Sequence, residues 1–219
     1  RVVLGGGYGM GAAKFKLTCK VQANLDISDE LAERAIKAYR TKYGSIVRLW
    51  ADIEAAVIAA VKNPTQVYAS CGGKVLWGMS KDRRFLVGRL PSGRFLWYWH
   101  PSVRVGKTPW GQEKEEMVYW GEDPKMHQWS PIKTYGGLLT ENVTQAVARD
   151  IMFAGWANVE EAGYPVIFKV HDELVAEINV PEDADWRLKD FTEKMCALPE
   201  WAAGCPVAAE GWVGERYRK

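Results

Sequence analysis

Two β-rich runs, Tyr164–Val170 and Leu174–Val180, flank the tripeptide His171-Asp172-Glu173. So short a polar interruption leaves room only for a tight turn, so the pattern is a strand, a turn and a returning antiparallel strand. The hairpin sits between two helical stretches. Val143, Val147, Ile151 and Ala154 align on one face of a helix expected from about Thr140 to Ala162, and Gly163 is placed to end it as a C′ glycine. A last helix is expected near Asp183 to Ala197.

The first half of the chain is read in the same way. Ser28 is an N-cap followed by Asp29 and Glu30 in a first turn, and Leu31, Ala35 and Ala38/Tyr39 repeat with helical spacing. A second helix is expected from Ser45 to Lys62, with Ile46, Leu49, Trp50, Ile53 and Val57 on one face and Asn63-Pro64 stopping it. Residues 66–120 are rich in aromatics. Pro91-Ser92-Gly93 between Phe85–Leu90 and Arg94–Trp99 is a hairpin signal. Helices, then β-hairpins, then helices, without βαβ alternation, define an α+β chain.

Charge is small in sum and uneven in place. The formal net charge is +2, yet Lys74 to Lys107 holds eight basic residues and one acid, Asp82, while Asp150 to Glu200 holds twelve acids and four bases. Basic blocks suit a polyanion, because each cation set on a phosphate releases condensed counterions; they also suit an ordinary solvated surface. The four cysteines, Cys19, Cys71, Cys196 and Cys205, form no C-x-x-C pair, so a zinc site or disulfide framework is not expected and a reducing cytoplasm is. The longest apolar run, Ala55 to Val61, is far too short to span a bilayer, so no membrane partner is expected.

Four constellations can carry chemistry. The first is His171-Asp172-Glu173. Adjacent carboxylates at a turn repel each other, and a divalent cation relieves the repulsion; Mg²⁺ takes one or two carboxylates plus phosphate oxygens. An ordinary acidic hairpin turn would look the same. The second is Gly5-Gly6-Gly7-Tyr8-Gly9-Met10-Gly11-Ala12. It can be read as a strand running into a Gly7-x-Gly9-x-x-Ala12 dinucleotide fingerprint, with Asp26 further on, or as a glycine turn; a Walker A loop is excluded because no Gly-Lys-Ser/Thr follows. The third is Tyr135-Gly136-Gly137 followed by Glu141-Asn142-Val143-Thr144-Gln145. Asn142 and Gln145 share a helix face, where their amides suit minor-groove acceptors or plain solvation. The fourth is the basic hairpin tip Arg89-Leu90-Pro91-Ser92-Gly93-Arg94, able to hold a phosphate or to be a surface turn.

Taken together and in this order, the four resemble the motifs of family-A (polymerase I-like) DNA polymerases, in their phage branch. Leu4 and Tyr8-Gly9 resemble the middle and end of the motif B helix of the fingers. His171-Asp172-Glu173 resembles motif C of the palm, and Gln145 the glutamine of the helix before it. The resemblance implies a partial fingers segment over residues 1–134, mostly helical and beginning within motif B, and a palm segment over 135–219. It implies template-directed addition of a dNTP to a primer 3′-OH by two-metal nucleotidyl transfer. Asp172 and Glu173 would hold Mg²⁺, and His171 the primer end. Leu4, Tyr8 and Gly9 would border the dNTP, and Asn142 and Gln145 would touch primer–template DNA.

Two parts of the family pattern are missing. No Asp opens an Asp-x-Ser-x-x-Glu-like run, so the motif A Asp is absent, and the motif B Lys would fall before Arg1. One carboxylate cluster cannot organise two metals and an in-line attack. The expectation is therefore a chain active only with an N-terminal polymerase segment that supplies both residues. Two other classes stay open: a non-catalytic DNA-binding or assembly subunit, and a dinucleotide-cofactor oxidoreductase, which requires a parallel sheet.

Overall fold

The computed structural model describes residues 2–107, 111–123, 126–179 and 184–217. Six α-helices and eight strands follow the order α1 (Val2–Gly7), α2 (Ala12–Ala23), α3 (Asp29–Lys42), α4 (Gly44–Lys62), β1 (Tyr68–Ser70), β2 (Val75–Met79), β3 (Phe85–Arg89), β4 (Phe95–Lys107), β5 (Glu113–Glu122), β6 (Trp129–Lys133), α5 (Gly136–Glu161), β7 (Val166–Val170), β8 (Glu173–Ala176) and α6 (Ala184–Cys196), then a 3₁₀ turn at Glu200–Ala202. The chain is α+β, as its patterning requires. It divides into two compact units, Arg1–Thr144 and Gln145–Lys219. The division falls inside α5.

Within the first unit, α3 starts where its cap requires. Ser28 Oγ accepts from the Leu31 amide at 3.2 Å. Its buried face is Ala32, Ile36 and Tyr39; Tyr39 was expected there, while Ala32 and Ile36 take the places expected of Leu31 and Ala35, and Leu31 is exposed. Ala32 and Ile36 close over Phe15 and Cys19 of α2. Helix α4 buries Ile53, Ala56, Val57 and Ala60 and packs on the sheet.

The segment 1–134, expected to be mostly helical, is helical only as far as Lys62. From Tyr68 onward it is a six-stranded antiparallel meander in the order β1-β2-β3-β4-β5-β6. The cause is a change of period: the alternation of Phe85, Val87 and Arg89 against Leu86 and Gly88 repeats every two residues, which suits a half-buried strand and cannot stripe a helix. The Pro91-Ser92-Gly93 turn forms as expected, with Gly93 at φ 87° and the Leu90 amide donating to the Arg94 carbonyl at 2.8 Å. The inner face buries Val75, Trp77, Leu86, Tyr98 and Met117. The Trp77 indole N–H donates to Ser70 Oγ at 2.9 Å, so neither buried polar group is left unpaired. Gly88 is required beneath that indole: a Cβ there would stand 2.5 Å from Trp77 Cζ3.

In the second unit, the α5 C-terminus closes as a Schellman motif. The Tyr164 amide donates to the Val159 carbonyl (3.0 Å), and Gly163, at φ 87°, donates to Glu160 (3.0 Å). Val159, Tyr164 and Leu174 form the core, with Trp156, Val166, Phe191 and Met195 around it. Gly155 lets α5 and α6 approach, since a Cβ would overlap the Met195 carbonyl oxygen. Among the described residues no helix is long and apolar enough to cross a membrane.

Candidate functional site

The acidic turn stands where the sequence puts it. Strands β7 and β8 pair antiparallel, Val170 opposite Glu173, leaving His171-Asp172 as a two-residue turn. His171 takes φ 50°, a left-handed conformation that tight hairpin turns demand and that His tolerates better than most residues. Lys169 Nζ donates to the His171 carbonyl at 2.8 Å, which braces the turn. His171 and Asp172 are exposed and Glu173 is half-buried. Among the described residues Asp172 has no hydrogen-bond or ion-pair partner. Glu173 Oε2 accepts the Tyr217 hydroxyl at 3.1 Å. Burial, and then Glu173 itself, pushes the Tyr217 phenol above its ordinary range, so the hydroxyl stays a donor. Tyr217 also packs edge-on against Phe168, ring centroids 5.2 Å apart. The role of Tyr217 was not legible in the sequence, because forty-four positions separate it from Glu173.

Asp172 and Glu173 are adjacent carboxylates at one turn. Among the described residues no group of three or more His, Cys, Asp and Glu side chains could hold a metal. The donor chemistry fits a share in a Mg²⁺ site, with Asp172 available and Glu173 beside it. It does not fit a complete site made by the described residues alone.

The glycine-rich start is part of the first unit. Residues 2–7 form helix α1, and every described strand pair is antiparallel. The dinucleotide fingerprint is thereby overturned, and with it the oxidoreductase reading: there is no strand before the glycines and no parallel sheet among the described residues. Tertiary contacts decide the helix. The ring of Tyr39 lies against Gly6, and the Trp50 indole N–H donates to the Gly7 carbonyl at 2.9 Å, satisfying a carbonyl that the helix end leaves open. Gly9, at φ 85°, then turns the chain. The side chain of Leu4 lies outside the described ones.

Gly136 and Gly137 have a structural use that spacing alone does not reveal. A Cβ on Gly136 would overlap the Trp50 carbonyl oxygen, and one on Gly137 the Tyr8 carbonyl oxygen. The pair lets the start of α5 press against the α4 backbone at Trp50 and against Tyr8, just after α1. Tyr8, Gly9, Met10, Lys14, Tyr135 and Glu141 line an open cleft beside this contact. Burial, then Glu141, raises the Tyr135 phenol.

Asn142 and Gln145 differ in setting. Asn142 is half-buried, and its Nδ2 donates to the Tyr98 hydroxyl on β4 at 3.0 Å. Burial pushes the Tyr98 phenol up to about 12 against the opposing pull of that bond, so Tyr98 stays neutral. Gln145 is exposed. At the hairpin tip Arg89 is exposed and Arg94 half-buried.

An α+β chain bearing an exposed acidic hairpin turn is the class that these observations define. Over 197 residues, 90% of its length, this chain is 34% identical to the DNA polymerase of Bacillus phage SP02. It is thus related to a phage DNA polymerase, and it spans 28% of that protein's length. No family model matches the chain. No solved structure matches it.

Proposed function

We propose that this chain is the C-terminal portion of a family-A DNA polymerase, contributing part of the fingers (residues 1–134) and of the palm (135–219), and that it serves template-directed addition of dNTPs to a primer 3′-OH. The observation that carries the reading is the 34% identity to a phage DNA polymerase across nine-tenths of the chain. The exposed, unpaired carboxylate of Asp172 supports it independently, since a metal-binding acid at a hairpin turn is what nucleotidyl transfer needs from a palm.

In this reading Asp172 holds Mg²⁺, Glu173 supports it under the hydrogen bond from Tyr217, and His171 holds the primer end. Bound there with a second ion, Mg²⁺ would neutralise charge on the attacking and leaving oxygens. The second metal-binding Asp and the phosphate-binding Lys would come from a polymerase segment outside this chain. Leu4, Tyr8 and Gly9 border the dNTP. Gln145 contacts primer–template DNA, and Asn142 helps to set the helix through Tyr98. Positioning and charge neutralisation supply most of the catalysis in such transfers.

A chimera tests this, with the chain replacing the matching region of the phage SP02 polymerase. Primer extension with Mg²⁺ and dNTPs should be seen for the chimera and not for the 219-residue chain alone. A folded chimera that binds primer–template DNA but extends nothing would favour the non-catalytic DNA-binding reading. Extension by the chain alone would mean that it holds a second metal-binding acid of its own.

A further inference from the structure

The inner face of the six-stranded sheet packs against α4, and its outer face carries a row of exposed aromatic rings. Strand alternation and register put Phe85, Val87 and Arg89 of β3 directly beside Trp99, Trp97 and Phe95 of β4 on that outer face. Trp120 of β5 pairs with Trp99 and continues the row, and Trp129 of β6 reaches back to Trp99, ring centroids 5.5 Å apart. Phe85 and Trp97 meet edge to face at 5.6 Å, and Phe95 and Trp97 at 5.9 Å. These rings are open to solvent: Phe95 is 44% exposed, Trp97 57%, Trp120 41% and Trp129 59%. Stable folding does not ask for so many uncovered aromatic rings on one face, and a contiguous exposed patch of this kind marks a contact surface.

The charge around the patch says what would cover it. Lys74 to Lys107, which supplies β2–β4 and their turns, has eight basic residues and one acid. That acid, Asp82, is already engaged, taking the Ser80 hydroxyl at 2.6 Å. Lys81 and Arg83 stand exposed in the turn at the Phe85/Trp99 end, and Arg89 is exposed beside Phe95 at the other. None of the three has an ion-pair partner among the described residues. A row of aromatic faces between unneutralised cations fits a single-stranded nucleic acid, whose unpaired bases stack on rings while its phosphates meet the cations. A duplex keeps its bases stacked on each other and offers these rings nothing. An apolar protein surface would gain nothing from the cations.

We propose that the outer face of the β1–β6 sheet is a binding platform for single-stranded DNA, with Trp97, Phe95, Trp129 and Trp120 stacking bases and Arg89, Arg83 and Lys81 holding the backbone. It requires no base sequence, because every base has a stacking face. The platform does not depend on the catalytic reading.

The test is fluorescence anisotropy of the 219-residue chain with labelled oligothymidine of about 20 nucleotides, longer than the ~4–16 nucleotides of a typical single-strand site. A duplex of equal length is the comparison. The single strand should bind tighter. Trp97→Ala and Trp129→Ala should each weaken it by about tenfold, one stacked base's worth, and Trp97→Phe should restore most of the loss. Arg89→Gln should lower the salt dependence of log K by about 0.7, one phosphate on a single strand. Unchanged affinity in folded Trp97→Ala and Trp129→Ala proteins overturns the proposal, and so does equal binding of the duplex. Concentration-dependent self-association lost in the same variants, without single-strand binding, would assign the face to protein contact instead and also overturns it. An inactive chimera in the primer-extension experiment would leave these outcomes untouched, so the two readings fail separately.

Discussion

At the turn, two residues divide the tasks of shape and chemistry. His171 holds the left-handed conformation, at φ 50°, that lets Val170 and Glu173 pair, and Asp172 stands clear of protein partners. A non-glycine residue in that region carries strain, about 1 kcal/mol at its least. His171→Gly should therefore leave the protein as stable or up to about 1 kcal/mol more stable, part of the gain being offset by glycine's greater backbone entropy when unfolded. Denaturant unfolding measures that. If His171 holds a primer end, the same variant in an active chimera loses affinity for primer–template DNA, so stability and function move apart. Gly137 gives the opposite case. Its missing Cβ is the space taken by the Tyr8 carbonyl, so Gly137→Ala pits a side chain against backbone. It should cost about 3 kcal/mol, the upper range for overpacking, and lower the thermal midpoint.

Among the elements, strands β4, β5 and β6 are tied by one carboxylate. Glu116 accepts from Arg104 Nε at 3.0 Å and from Lys133 Nζ at 3.1 Å. The Lys133 hydrogen bond holds its carboxyl below the usual glutamate range against the opposing effect of burial, with the Arg104 hydrogen bond adding to the lowering. A depressed folded-state pKa stabilises the fold above the unfolded value, near 4.5, and that stability is lost as pH falls through the lower folded value. Thermal unfolding of wild type and Glu116→Gln should differ at pH 6 to 7, with the variant less stable, and the difference should shrink as pH falls below the ordinary glutamate value. A constant difference across that range would contradict the ion-pair account. The same region shows what the sequence made legible. The Pro91-Ser92-Gly93 hairpin, the Ser28 cap and the Gly163 stop were readable because each rests on local backbone chemistry. Helix α1 was expected only through its resemblance to the motif B helix and not from local spacing, since Gly6 and Gly7 are in contact with Tyr39 and Trp50, more than thirty residues away. Within α3, Ala32 and Ile36 rather than Leu31 and Ala35 face inward for a similar reason: they pack on Phe15 and Cys19, and no pattern inside α3 reveals that. For the candidate site, the acidic turn could be read directly, whereas the Tyr217 bond to Glu173 and the Tyr98 bond to Asn142 join distant segments and could not.

Across the whole molecule, two observations bear on the proposed function. The chain spans 28% of the phage polymerase it resembles, and its described carboxylates make no complete metal site. The antiparallel topology removes the nucleotide-cofactor alternative, leaving catalysis and plain DNA binding to be separated by experiment. The most direct measurement is the single-turnover rate of nucleotide incorporation by the chimera, wild type and Asp172→Ala, with primer–template affinity measured alongside. The account predicts a rate loss of about a thousandfold or more, with affinity changed by only about threefold, because the lost carboxylate acts on the metals of the transition state rather than on the DNA. An Asp172→Ala chimera that incorporates nucleotide at the wild-type rate would contradict the placing of the catalytic metals at this hairpin.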